Sequence, residues 1–280
     1  MDILVSSDWL AGQLGADDLR ILDATSFLPG TPRDAQAEYR AAHIPGAQFL
    51  DLATLNDADD PRPATVPTNA QFAARMAALG VARDDRIIVY DNSPLVSAGR
   101  AWWLLRIFGA RNVAILDGGL QGWIVADHAT EDGENMAGNA RFAAARDESA
   151  IATKADIRAN LTSCAAQVVD ARGKARFTGE DPEPRPGMAS GHIPGSINLP
   201  FGQLLDAHGH WLRGDALRDR FGAAGVDLDR PLIMSCGSGV TACNLLFGAA
   251  LLGKQDVAIY DGSWSEWGAD PDTPKATGPA

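Results

Sequence analysis

Cysteine is scarce in this sequence, which has three in 280 residues, at positions 164, 236 and 243. None belongs to a Cys-x-x-Cys pair. Such a sparse, odd set excludes the disulfide framework of small secreted domains and predicts reduced thiols. The five histidines form no His-Glu-x-x-His motif, so we expect no metal site. The sequence predicts no bound cofactor either.

Basic residues are also in short supply. Lys and Arg number 24 against 36 Asp and Glu, so the formal net charge is −12. Because such a surface repels phosphates and anionic lipid headgroups, we expect neither nucleic acid nor a membrane as a partner. No apolar run approaches the ~20 residues of a membrane helix. The N-terminal segment lacks the basic and apolar parts of a signal peptide, which predicts a cytoplasmic protein.

The sequence contains an internal repeat whose segments keep the same order in both halves. The paired segments are 20–25 with 167–172, 38–52 with 188–201, 86–109 with 231–253, and 113–123 with 257–267. Order and spacing of this kind predict two similar domains. We place the first domain at 1–124, a polar linker at 125–150 and the second domain at 151–280. The composition of the tail, 270–280, predicts disorder.

Each half alternates short apolar runs with helical patterns. "LRILDAT", "RIIVYD" and "VAILDG" are continuous apolar stretches, typical of strands buried on both faces. "TNAQFAARMAALG" and "TKADIRANL" each begin with a helix-capping threonine. Strands interleaved with helices predict an α/β fold in which each domain has a mostly parallel central sheet flanked by helices.

Cys236 follows a predicted strand, 231–235, and precedes a predicted helix that begins near Thr241. In parallel sheets, functional sites lie beyond the carboxyl ends of strands. The intervening Gly237-Ser238-Gly239-Val240 allows successive backbone N–H groups to point at one spot, and the helix N-terminus adds partial positive charge. This arrangement favours a thiolate and predicts a sulfur nucleophile at Cys236.

Three other interpretations of this loop deserve weight. A free cysteine is most often a buried structural residue, and Cys243 within the helix fits that description. Gly237-x-Gly239-x-x-Ala242 also partly matches a dinucleotide-binding fingerprint, but only 44 residues follow Cys236, too few for the rest of that fold. A cysteine phosphatase needs an arginine six positions after the cysteine, where this sequence has Ala242.

The tandem halves, the "HIPGA" and "HIPGS" turns, "YDGSWSEW" and "CGSGVTA" resemble the tandem-domain rhodanese family over nearly the whole chain. The loop "CGSGVTA" together with "RFTGEDPEPRPG" at 176–187 is most similar to members that use 3-mercaptopyruvate. The resemblance implies a sulfurtransferase in which Cys236 forms a persulfide and releases pyruvate. The sulfur then passes to a thiol acceptor such as thioredoxin, or to cyanide. Only the second domain would be active, since Asp91 replaces the cysteine in the first.

The resemblance also implies roles for individual residues. Arg176 and Arg185 would bind the carboxylate and keto oxygen of the donor, and Ser238 would assist catalysis together with His43 and Asp34. The residues implied in substrate binding are Arg176, Arg185, Gly237, Ser238, Gly239, Val240 and Thr241. Members specific for thiosulfate carry basic residues where this chain has Gly237 and Ser238. Two alternatives stay open: thiosulfate:cyanide sulfurtransferase activity, and a persulfide carrier that does not turn over small donors.

Overall fold

The computed structural model describes residues 1–136 and 138–279, which divide into two compact units. Both units draw on more than one stretch of the chain. The first unit comprises Met1–Ala58, Val66–Asp147 and Ala207–His210, and the second comprises Asp59–Thr65, Glu148–Asp206 and Trp211–Ala280. Each repeat therefore lends a short segment to the unit formed by the other repeat.

The first unit has a five-stranded parallel sheet in the order β1-β5-β4-β2-β3. Its strands are β1 (Leu4–Val5), β2 (Leu19–Asp23), β3 (Ala47–Phe49), β4 (Arg86–Tyr90) and β5 (Val113–Leu116). Its helices are α1 (Ser7–Ala11), α2 (Ala35–Ala41), α3 (Asn69–Ala78), α4 (Ala98–Ile107) and α5 (Gly119–Val125).

The second unit repeats this arrangement in the order β6-β10-β9-β7-β8, again fully parallel. Its strands are β6 (Ile151–Ala152), β7 (Gln167–Asp170), β8 (Ile197–Asn198), β9 (Leu232–Ser235) and β10 (Val257–Tyr260). Its helices are α6 (Lys154–Ser163), α7 (Lys174–Thr178), α8 (Gly214–Ala223), α9 (Ala242–Leu251) and α10 (Ser263–Trp267), with 3-10 turns at Glu148–Ala150 and Phe201–Leu204. The predicted α/β fold is confirmed.

The local sequence explains where these elements begin. Thr68 and Gln71 form a reciprocal capping box at the start of α3, and Thr153 and Asp156 form one at the start of α6. Each box gives partners to backbone N–H groups that a helix start leaves without an intrahelical acceptor. The continuous apolar runs are buried strands, and β4 and β9 take the central position of their sheets. The residue that follows each of these two strands therefore lies in the middle of a sheet edge.

Aromatic side chains fill much of the core of the second unit. Tyr260, Trp264 and Trp267 are buried with Ile157 and Ile193. Both indoles keep a hydrogen-bond partner, as buried tryptophans usually do: Trp264 Nε1 donates to Ala189 and Trp267 Nε1 to Pro274. None of the helices in the described ranges is long and apolar enough to cross a membrane.

The predicted linker contains no helix or strand in residues 126–136 and 138–147, yet part of it is fixed to the first unit. The Glu131 and His43 backbones exchange two hydrogen bonds, and Phe142 is buried. The prediction of a disordered tail is wrong for 270–279, while Ala280 lies outside the described residues. Ala276 exchanges two backbone hydrogen bonds with His192, and Gly278 N donates to Thr178 O. Backbone pairing, which composition does not report, holds this tail.

Candidate active site

Cys236 lies directly after β9 and is 1% exposed. Two hydrogen bonds fix its backbone to the start of α10: Cys236 N donates to Ser263 Oγ at 3.2 Å, and Trp264 N donates to Cys236 O at 3.0 Å. Ser265 N in turn donates to Gly237 O at 2.8 Å. The peptide groups at the start of the loop are thus anchored to the element that follows the neighbouring strand β10.

The loop after Cys236 exposes backbone donors. Within residues 1–136 and 138–279, no protein acceptor is found for the N–H groups of Gly237, Ser238, Val240 and Thr241. Gly239 has φ of +79°, a value that L side chains rarely adopt, so glycine permits the turn. No side chain caps α9, which begins at Ala242. A loop of unpartnered N–H groups leading into a helix N-terminus is suited to binding an anion.

The first unit shows what the fold places at the matching position. Asp91 follows the central strand β4, and its carboxylate accepts hydrogen bonds from Ser93 N and Ala98 N, both at 2.8 Å. Its carbonyl accepts from Leu120 N at 3.1 Å, as that of Cys236 accepts from Trp264 N. Burial raises the pKa of Asp91 to about 7. In the first unit, loop N–H groups thus donate to the carboxylate of Asp91. In the second unit, the loop after Cys236 has N–H groups that remain available to a ligand.

Arg176 and Arg185 both lie close to this loop. A Cβ built on Gly237 would be 3.1 Å from Arg176 Nη2, so this guanidinium packs directly against the loop. Burial lowers the pKa of Arg185, and the negative charges of Cys236 and Glu183 oppose that shift. An arginine with so high an ordinary pKa stays charged, so Arg185 supplies positive charge near the thiol.

Two buried residues that support Arg176 were not predicted from the sequence. The side chain of Glu183 is 1% exposed and pairs with Arg176 and with Arg172, which is also buried. Arg172 additionally pairs with Asp170 at 2.7 Å. The repeat "VVDARG" contained a signal for Arg172, because a charged residue two positions after a buried strand needs a partner inside the fold.

Ser263 is a third residue that sequence reasoning missed. It is fully buried with φ of +47°, and its hydroxyl accepts from Cys236 N and donates to Tyr260 O. The matching residue of the first unit is Gly119, with φ of +56°. The comparison of "LDGGL" with "YDGSW" was the available signal, since serine replaces glycine at a position that demands positive φ.

His43 is fully buried in the first unit, and both of its ring nitrogens have partners there. Nδ1 donates to Tyr39 O at 2.8 Å, and Nε2 accepts from Asn135 Nδ2 at 3.1 Å. Glu131 Oε1 lies 3.3 Å from Nε2. The ring of His43 also stacks on Tyr39, with centroids 4.2 Å apart. These contacts hold the turn that contains His43.

The second half repeats the same device. His192 Nδ1 donates to Phe177 O at 2.8 Å, and its ring stacks on Phe177 at 3.8 Å. Asp34, the other first-unit candidate, caps α2 by accepting from Ala37 N at 3.0 Å. Ser238 lies two residues after Cys236 and is partly exposed. Catalytic roles for His43, Asp34 and Ser238 stay predictions.

Over the described residues, no group of three or more His, Cys, Asp or Glu side chains is arranged to hold a metal ion.

Comparisons with known proteins agree with this architecture. The rhodanese-like domain model matches residues 6–126 and 153–270. The chain is 43% identical over 271 residues to the 3-mercaptopyruvate sulfurtransferase of Escherichia coli K12, covering 96% of each. It is 42% identical over 272 residues to the thiosulfate sulfurtransferase of Bos taurus, covering 94% of this chain and 91% of that protein. SseA from Escherichia coli, whose structure is described as a 3-mercaptopyruvate sulfotransferase with the rhodanese fold, matches with a TM-score of 0.86 and 41% identity, covering 95% of this chain and all of SseA.

Proposed function

Because the chain belongs to the rhodanese family of sulfurtransferases, we propose that it takes sulfur from 3-mercaptopyruvate as a persulfide on Cys236 and passes it to a second acceptor. The loop carries this proposal. Cys236 occupies the position that Asp91 has in the first unit, and the N–H groups of Gly237, Ser238, Val240 and Thr241 have no protein acceptor in the described chain. Those N–H groups stabilise the thiolate before transfer and the persulfide anion after it.

The first half-reaction is a nucleophilic displacement at sulfur. The Cys236 thiolate attacks the donor sulfur, so an S–S bond forms and the donor's C–S bond breaks. The electron pair of the C–S bond goes to carbon and gives the enolate of pyruvate. The proton that was on the donor thiol ends on that carbon, which leaves pyruvate and a persulfide anion on the enzyme. In the second half-reaction, cyanide or a thiolate attacks the outer sulfur and the Cys236 thiolate leaves.

Three side chains have proposed roles around the donor. Arg176 and Arg185 bind its carboxylate and keto oxygen, for which a planar guanidinium has the right geometry. The Ser238 hydroxyl donates a hydrogen bond to the keto oxygen while negative charge develops on it. The hydrogen bonds to the keto oxygen strengthen as the enolate forms, so they lower the barrier to transfer, whereas the contact with the carboxylate contributes to donor binding.

Thiosulfate is the second candidate donor, because the bovine relative that bears its name is almost as similar as the bacterial one. Thiosulfate is a compact dianion, and the loop positions next to the thiol, Gly237 and Ser238, carry no charge. The uncharged loop favours 3-mercaptopyruvate.

The first unit has no sulfur chemistry in this proposal, because Asp91 replaces the nucleophile and occupies loop amides itself. For the acceptor we propose a small protein thiol such as that of thioredoxin, or cyanide. A thiol acceptor fits a reducing compartment, and we propose the cytoplasm.

A comparison of donors tests the proposal. We expect kcat/KM to be clearly higher for 3-mercaptopyruvate than for thiosulfate, with one pyruvate released for each sulfur transferred. Intact-protein mass spectrometry after a single donor addition should show a gain of one sulfur atom, located on Cys236 by peptide mapping. Cys236→Ser should abolish both signals, and Cys164→Ser, which alters an exposed thiol, should leave them unchanged. Preference for thiosulfate would reverse the donor assignment, and a persulfide without pyruvate release would favour the carrier alternative.

A further inference from the structure

Glu183 is a buried carboxylate that joins two arginines. It accepts hydrogen bonds from Arg172 Nη1 at 2.7 Å and from Arg176 Nη2 at 2.6 Å, with a longer contact of 3.2 Å from Arg176 Nε. Its side chain is 1% exposed. Because a carboxylate removed from water is costly unless it is fully paired, these contacts hold Glu183 in one place.

Arg172 is itself held in place by several contacts, so it anchors Glu183. Its guanidinium donates to both oxygens of Asp170 and to Gly191 O, and it stacks over the Trp264 ring at 4.6 Å. Both charged side chains of the Asp170–Arg172 pair are at most 2% exposed. Because the buried Arg172 holds Glu183 in place, Glu183 gives Arg176 a fixed anchoring point.

Arg176 packs against Gly237, the residue that follows Cys236 in the loop. Its Nη2 atom occupies the space that a side chain on Gly237 would need, at 3.1 Å from an ideal Cβ. In the described chain Nη1 of Arg176 has no protein acceptor, so it can donate a hydrogen bond to an oxygen of the sulfur-donating substrate. Preorganising a long side chain in this way removes an entropic cost from substrate binding.

The charges of this network cancel. Asp170 and Glu183 neutralise Arg172 and Arg176, and Arg185 is the cation left over beside Cys236. The Cys236 thiolate opposes Arg185 in turn, so these groups leave no excess positive charge for the sulfur donor. In this partly buried site a dianion therefore keeps one more charge without a counter-ion than a monoanion does, which is unfavourable.

We propose that Glu183 is a specificity-determining and positioning residue: it holds Arg176 over Gly237 and sets the site charge so that monoanionic 2-keto thiol donors are preferred to dianionic donors. This inference rests on the proposed function. Glu183 itself does not touch the donor. It acts through Arg176 in two ways: it holds the guanidinium in place, and its negative charge neutralises the positive charge of that arginine.

The test is the ratio of kcat/KM for 3-mercaptopyruvate to kcat/KM for thiosulfate in Glu183→Gln. The variant keeps the size of the side chain, removes one negative charge and frees Arg176 from its two-point contact. We expect the ratio to fall about tenfold, because one charge-assisted hydrogen bond supplies about that factor. Glu180→Gln, which removes an exposed carboxylate from the same loop, should leave the ratio unchanged. Equal losses on both donors, or no change, would overturn the proposal.

A second pair of variants keeps the proposal testable if Glu183→Gln folds poorly. Gly237→Ala should displace Arg176 Nη2 and raise KM for 3-mercaptopyruvate, while the same change in an Arg176→Lys background should add little. Additive effects would show that Gly237 and Arg176 act independently and would contradict the proposed contact. Wild-type turnover separates the two proposals: if the wild type forms no persulfide from either donor, the proposed function fails. If the wild type turns over but the ratios do not move, only the role of Glu183 fails.

Discussion

The backbone N–H of Cys236 donates a 3.2 Å hydrogen bond to Ser263 Oγ, and Ser263 is held at φ of +47°. Its hydroxyl proton goes to Tyr260 O at 2.7 Å. A buried serine in a left-handed conformation is unusual, because the Cβ is crowded there. The strain is offset by two hydrogen bonds that tie the nucleophile's backbone to the end of β10.

Ser263→Ala should destabilise the protein by about 1–3 kcal/mol, since it leaves Cys236 N without its acceptor and keeps the strain. Ser263→Gly removes the same hydrogen bonds but relieves the strain, so it should be more stable than the alanine variant by about 1 kcal/mol. Urea unfolding of the three proteins measures both differences. An alanine variant as stable as the wild type would show that the anchor contributes nothing.

Asp91 predicts a pH dependence of stability. Burial raises its folded pKa to about 7, above its ordinary value of 3.8, so the folded state binds this proton more tightly than the unfolded chain does. Stability from this group is fully present below about pH 4 and is lost as pH rises toward 7. Asp91→Asn cannot titrate. The unfolding free energy of the wild type relative to Asp91→Asn should therefore fall between pH 4 and 7 and level off above, as urea unfolding in matched buffers would show. A constant difference across that range would contradict the assignment.

Arg185→Ala should separate the two half-reactions. We expect KM for 3-mercaptopyruvate to rise roughly ten- to a hundredfold, the effect of losing a charge-assisted hydrogen bond. Discharge of a preformed persulfide to cyanide should change much less, because the donor carboxylate is absent from that step. Stopped-flow measurement of each half-reaction decides the matter, with Arg218→Ala on the exposed face of α8 as the control. Equal effects on both half-reactions would place Arg185 outside donor binding.

His43→Gln tests whether this histidine acts in catalysis. Its ring nitrogens bind Tyr39 O and Asn135, so we expect a lower melting temperature and an unchanged kcat for the folded protein. His192→Gln, the matched change in the second repeat, should behave in the same way. A large fall in kcat with unaltered melting in His43→Gln alone would support the predicted catalytic role.

Features set by short stretches of the chain could be predicted from the sequence. Thr68 and Thr153 cap their helices through residues three positions away, and the apolar run before Cys236 is strand β9. The position of Cys236 at the mouth of a parallel sheet follows from the order strand, glycine loop, helix. These inferences needed only periodicity and local hydrogen-bond chemistry.

Features that depend on distant partners could not be predicted in this way. Glu183 looks like one more acid in a polar, proline-rich loop until the fold places it against Arg172, eleven positions earlier. Glu131 and Asn135 meet His43 from a stretch about ninety residues later, so the turn's hydrogen bonds are not visible in its own sequence. The tail was mispredicted for the same reason, because its partners are backbone atoms of 178 and 192.

The pairing of the tail has a practical consequence for handling the protein. Ala276 O would lie 2.2 Å from a Cβ on Gly191, and Gly191 O accepts from Arg172. Removing the tail from Ala276 onward would therefore expose Gly191 and loosen Arg172, which supports Arg176 through Glu183. A carboxypeptidase should then weaken donor binding before it unfolds the protein. Purification tags are better attached at the amino end.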